Sequence, residues 1–205
     1  MSSERSSPGT EIVVIAGDEE ALILEVALFG GSFNPPHIGH LLAADFVMAT
    51  EPVDEVWLIP SFRHPFGKPL VSFEHRLRMC ELMSADTSGW LRACGVEQRL
   101  GGDGRTVDTI AQLKTEFPDH RFTLVLGSDI LQDLPHWKDF AKIEQMARVL
   151  IVQRAGYPSP RAVGPALAEV SSTDVRERLQ RGELPMHWVP RRVLEYARAH
   201  RLYGL

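Results

Sequence analysis

Continuous apolar runs, separated by stretches of helical period, constrain this chain more than any other feature of it. "VALFG" (26–30), "EVWLIP" (55–60), "RFTLVLG" (121–127) and "RVLIVQR" (148–154) are short and rich in β-branched and aromatic residues. They lack the polar alternation of a strand with one wet face, so both faces must be covered. The covering pieces lie between them: "HIGHLLAADFVMA" (37–49), "FEHRLRMCELMSA" (73–85) and "TVDTIAQLKTEF" (106–117) read as helices, and "TDVRERLQRG" and "PRRVLEYARAH" close the chain as two more, with Pro190 near the first turn of the second. The expected fold is α/β: a doubly wound, mostly parallel, Rossmann-like sheet with C-terminal helices. "LRACGVEQ" (91–98) is expected as a further strand and "ALAEV" (166–170) as the last one.

The chain has 205 residues, enough for a single good-sized core. Residues 1–24 are set aside as a tail or extension, with an extra edge strand at 12–15 as one reading, and 25–205 are taken as one domain. A formal charge of −5 argues against a nucleic-acid-coating or membrane-surface protein. No apolar run approaches the ~20 residues that span a bilayer. Two cysteines without metal spacing, and a polar N-terminus, point to a reducing cytoplasm. The pairs His75/Arg76 and Arg191/Arg192 read as surface charge.

In a doubly wound sheet, ligands bind beyond the carboxyl ends of the strands. Three segments fall there: "GGSFNPPHIGH" (30–40), "GSD" (127–129) and the loop "IPSFRHPFGK" (59–68). In the first, Gly30 and Gly31 let backbone approach a ligand with no Cβ between. Pro35 and Pro36 stiffen the helix entry. His37 and His40, three residues apart, sit on the first helical turn, where the helix dipole adds to them. The result is an anion site suited to phosphates. Neither a G-x-G-x-x-G fingerprint nor a G-x-x-x-x-G-K-[ST] loop occurs.

"GGSFNPPHIGH" resembles the H-x-G-H signature of the nucleotidyltransferase superfamily, and "SSTDVR" (171–176) resembles its second signature. "LVLGSDIL", "LPHWKDF", "VLIVQRAGYP" and the C-terminal "LPMHWVPRRVLEYARAHRLYG" are similar to the bacterial nicotinate mononucleotide adenylyltransferase family. Ser32 and Asn34 stand where Thr and Asp are commoner in that family. The resemblance implies transfer of AMP from ATP to the phosphate of nicotinate mononucleotide, giving deamido-NAD and pyrophosphate. It implies that His37, His40 and Arg176 are catalytic, and that Gly30, Gly31, Ser32, Phe33, Gly39, Gly127, Asp129, Ser171, Ser172, Thr173 and Lys68 bind ATP. By the same likeness Ser172 and Thr173 double as helix caps, and Thr106, Trp137 and Lys138 take the nicotinate mononucleotide, with backbone amides near them receiving its carboxylate. Mg²⁺ is expected to accompany ATP, and no protein ligand to the metal is named. A homo-oligomer stays open. The alternatives are another adenylyltransferase of the superfamily, such as one acting on phosphopantetheine, and a non-catalytic nucleotide-binding module.

Overall fold

The computed structural model describes residues 23–63, 70–101, 104–167 and 170–205. Lys68, the edge strand expected at 12–15 and almost all of the N-terminal segment lie outside the described residues. Six strands form one sheet: β1 (Glu25–Gly31), β2 (Glu55–Pro60), β3 (Leu91–Ala93), β4 (Arg121–Gly127), β5 (Arg148–Arg154) and β6 (Val163–Leu167). Their order is β3-β2-β1-β4-β5-β6, and all neighbouring strands pair in parallel. The direction of winding reverses between β1 and β4, which is where such sheets open a ligand crevice.

Alternate residues of each strand enter two separate cores, as a period of two demands. Ala27, Val56, Leu58, Val125, Leu150 and Val152 face one side. There they meet the buried stripes of α1 (Ile38–Thr50), α2 (Phe73–Ser84), α6 (Ser172–Gln180) and α7 (Arg191–Ala199). Val26, Leu28, Trp57, Ile59, Leu124 and Ile151 face the other, under α3 (Val96–Leu100), α4 (Thr106–Glu116) and α5 (Phe140–Met146). This double burial is why the strands read as unbroken apolar runs.

Two elements differ from the sequence reading. "LRACGVEQ" is strand only through Ala93, because β3 pairs with β2 over three residues. Beyond it, Gly95 precedes the short helix α3, which ends at a left-handed Gly101 with φ 60°. The last strand begins at Val163 rather than Ala166. Its Pro165 is tolerated there because β6 is an edge strand with only β5 beside it. Pro190 sits immediately before α7, where its missing N–H costs nothing. Arg191 and Arg192 are exposed and paired with Glu195 and Asp86.

Arg76 is not surface charge. It is 1% exposed, and its guanidinium donates to three backbone carbonyls: Val71 at 3.0 Å, Ser32 at 2.9 Å and Phe62 at 3.4 Å. The spacing shows why: Phe73, Arg76, Met79, Cys80 and Met83 are the buried residues of α2, one helical stripe with a cation in it.

Candidate active site

The carboxyl ends of β1, β4 and β5 and the starts of α1 and α6 surround two adjoining cavities. The first, about 210 Å³, is lined by Ser32, Asn34, His37, His40, Leu70, Arg154, Ser171, Ser172, Thr173 and Arg176. The second, about 160 Å³, is walled by Phe29, Gly30, Ala43, Val125, Gly127, Asp129, Ile130 and Val152. His40 and Arg154 line both.

His37 caps α1 and His40 is its third residue, so their rings overlap with centroids 3.8 Å apart. The His37 backbone N–H donates to His40 Nδ1 at 3.1 Å. A backbone amide can only donate, so Nδ1 carries no proton and neutral His40 holds its proton on Nε2, as a donor. Phe33, wholly buried, packs on the same ring at 4.8 Å. Burial pushes both imidazoles toward the neutral form. His37 falls from 6.5 to about 4 through desolvation and the nearby Arg154 charge. His40 lies well below its ordinary value, from burial and then the neighbouring His37 and Arg154. Among the described residues His37 Nδ1 has no partner, and it is buried against Gly39. A Cβ on Gly39 would come within 3.1 Å of that ring, so the glycine of the motif makes room for the histidine.

Glycines 31 and 127 work in the same way. A Cβ on Gly31 would press on the Phe33 ring at 3.2 Å, and one on Gly127 would overlap the Asp129 carboxylate. Gly30 differs: nothing lies within 4 Å of its missing Cβ, which leaves the backbone open on the second cavity. Asp129 is the second residue of the short 3₁₀ turn Ser128–Gln132, and its carboxylate faces Arg154 at 3.7 Å.

At the second signature the hydroxyls divide their tasks differently from the expectation. Ser171, not Ser172 or Thr173, caps α6, accepting from the Asp174 amide at 3.1 Å. Ser172 Oγ donates to the Pro35 carbonyl at 2.9 Å, tying α6 to the entry of α1. Thr173 Oγ1 accepts from Arg176, whose other terminal nitrogen reaches the Asn34 carbonyl at 2.7 Å. Asn34 in place of the commoner Asp also accepts from the Tyr203 hydroxyl at 3.0 Å, joining the C-terminus to this loop. The α1 dipole end is partly occupied, because the Ile38 amide donates to the Trp188 carbonyl at 2.7 Å.

The remaining expected residues line neither cavity. Thr106 opens α4, and Trp137 follows a short 3₁₀ turn with its ring edge-on to Phe140 at 6.2 Å. The Trp137 amide donates to the Leu134 carbonyl at 3.0 Å and so closes that turn. Arg154 was not singled out in the sequence. The signal was available: it ends β5, and its neighbour strand ends in Gly127.

Comparison with known proteins places this geometry. Residues 28–178 match the model of the cytidylyltransferase-like family. A nicotinate-nucleotide adenylyltransferase of Myxococcus xanthus is 58% identical over 182 residues, 89% of this chain and 96% of the relative. The chain belongs to the nicotinate-nucleotide adenylyltransferase family. Another member, from Anaeromyxobacter dehalogenans, is 48% identical over 87% of this chain and 96% of its own length. The fold of this family is also seen in a Plasmodium falciparum nicotinic acid mononucleotide adenylyltransferase complexed with NaAD. That structure superimposes with a TM-score of 0.73 at 20% identity, over 87% of this chain and 97% of the other. Among the described residues, no helix is long and apolar enough to cross a membrane.

Proposed function

We propose that the protein transfers AMP from ATP to the 5′-phosphate of nicotinate mononucleotide in a reducing cytoplasm, forming deamido-NAD and releasing pyrophosphate. The observation that carries this is the polar first cavity, where His37, His40, Ser171, Ser172, Thr173, Arg154 and Arg176 converge beside a second cavity ending in Gly127 and Asp129. The triphosphate occupies the first cavity. The adenosine occupies the second, with Gly30 allowing close approach and Asp129 accepting from the ribose hydroxyls. Lys68 adds a cation to the phosphates, and Thr106, Trp137 and Lys138 take the acceptor.

In the reaction, a phosphate oxygen of the mononucleotide attacks the α-phosphorus as the bond to the β-phosphate oxygen breaks. That nucleophile is already largely ionised at neutral pH, since its second pKa is about 6, so no general base is required. The work left is to align the reactants and to meet the charge that develops. His40, neutral with Nε2–H as donor, stabilises the α-phosphoryl oxygens. Arg176 exchanges its contacts to Asn34 and Thr173 for the β- and γ-phosphates, which its planar fork fits in two places at once. Magnesium would arrive on ATP as part of the substrate and would offset the charge of its phosphates.

The test is pyrophosphate release from ATP with a panel of acceptors: nicotinate mononucleotide, nicotinamide mononucleotide and phosphopantetheine. Nicotinate mononucleotide is expected to lead the neutral amide by at least about a hundredfold in kcat/KM, because backbone donors cannot turn into acceptors for an NH₂ group. Turnover confined to phosphopantetheine, or absent with every acceptor, overturns the reading.

A further inference from the structure

Among the polar side chains buried away from both cavities are Arg76 at 1% exposed, Glu97 at 7% and Thr109 at 4%. They form one continuous chain of hydrogen bonds. Its middle is the backbone of Phe62, in the loop after β2. The Phe62 N–H donates to Glu97 Oε2 at 2.8 Å, and the Phe62 carbonyl accepts from Arg76 at 3.4 Å. From Arg76 the chain runs to the carbonyl of Ser32, a residue that lines the first cavity. From Glu97 it runs through Oε1 to the Thr109 hydroxyl at 3.1 Å, on the first turn of α4 after Thr106. Gly104 is packed against the same carboxylate, where a Cβ would stand 3.1 Å from Oε2.

A core built for stability alone would place apolar side chains here, since buried charges recover little net energy from their partners. Separate anchors, one for each loop, would also not need to meet at the backbone of a single residue. Because Arg76 and Glu97 hold opposite sides of one residue's backbone, a shift at Ser32 moves the partner of the carboxylate that fixes α4. We propose that this buried chain, Ser32–Arg76–Phe62–Glu97–Thr109, couples the two substrate sites, so that a triphosphate seated against the Ser32 loop tightens the acceptor site at the head of α4, and the acceptor tightens ATP in return. The inference rests on the proposed function for placing the acceptor there. Arg76 and Glu97 are positioning residues, since neither lines the two cavities described above. The longest link, at Phe62 O, is where the chain has room to shorten when both ligands are bound.

Coupling of this kind is reciprocal and is read as a ratio of dissociation constants. The experiment measures the Kd of nicotinate mononucleotide with and without saturating α,β-methylene ATP, whose α–β bridge cannot be cleaved. In the wild type the nucleotide is expected to tighten the mononucleotide by about tenfold, with the same factor in the converse titration. Thr109→Val keeps the shape of the side chain and removes the donor. It is expected to lower that factor to about threefold or less while each Kd measured alone stays within about twofold of wild type. Thr109→Ser restores the hydroxyl and the wild-type factor. Glu97→Gln, which retains only one good acceptor, is expected to fall between them. Wild-type coupling in both Thr109→Val and Glu97→Gln overturns the proposal, as does an equal weakening of each ligand alone, the mark of a purely structural role. A wild type that binds the mononucleotide without any coupling also overturns it and leaves the proposed function standing. A wild type that does not bind the mononucleotide at all removes both.

Discussion

Around the first cavity, every lining residue except Leu70 and Arg154 comes from two short segments, 32–40 and 171–176. The proposed acceptor residues are placed otherwise: Thr106 at the head of one helix, Trp137 and Lys138 after a 3₁₀ turn, and none of them lining those two cavities. The phosphate half holds itself together. Ser172 bonds Pro35, Arg176 bonds Asn34, and the His37 amide sets the His40 tautomer. Among the described residues, the head of α4 is linked to it through buried Arg76 and Glu97. Preorganisation of this kind favours charge stabilisation at the reacting phosphorus. The acceptor side is left to select and align.

The sharpest way to break that contrast is His40→Ala. Losing a donor aimed at developing charge is expected to cost about 10²–10³ in kcat with the fold retained by circular dichroism. Near-normal turnover in the folded variant would place the chemistry elsewhere.

Acid should also act on the phosphate half. Free His37 takes up its proton near 6.5, but in the folded protein only at about 4, because it is buried beside Arg154. Between those values the unfolded chain binds more protons, so this contribution to stability is fully present above 6.5 and is lost progressively as pH falls to about 4. The loss amounts to roughly 2–4 kcal/mol for this one group. Urea midpoints measured across that range should drop less steeply in His37→Gln than in the wild type. Parallel profiles would mean that His37 does not carry the effect.

The mildest expectation lies on the acceptor side. Trp137→Ala removes a stacking surface and should raise the KM for nicotinate mononucleotide about tenfold, with the KM for ATP unchanged. If steady-state kinetics show both constants moving together, Trp137 supports the whole site rather than the acceptor.

Much of the phosphate half was legible because its chemistry is local. Three residues of helix decide that His37 and His40 meet, whereas the cap of α6 falls on Ser171, one residue ahead of the Ser172 and Thr173 expected for it. The glycines were legible as a pattern, though their tasks were not. Gly39 and Gly127 clear space for His37 and Asp129, and only the packed backbone shows that. Arg154 was hidden for a simpler reason. An arginine at the end of a strand looks like any other until Gly127 is found beside it and Asp129 across from it.

By itself, the sequence determined the fold class, since strands apolar on both faces can only be buried between two layers of helices. It also determined the segments 30–40 and 171–176, whose residues are neighbours along the chain and line most of the first cavity. Tertiary structure alone decided that Arg76 and Glu97 are buried and meet at the backbone of Phe62. A charged residue in a helical stripe reads as surface until the carbonyls of Ser32 and Phe62, drawn from other segments, arrive to satisfy it. Those partners have no helical or strand period linking them to position 76, so no pattern in the chain could announce them. The link between the two halves of the site is therefore a property of the folded molecule, set by which loops the sheet order brings together.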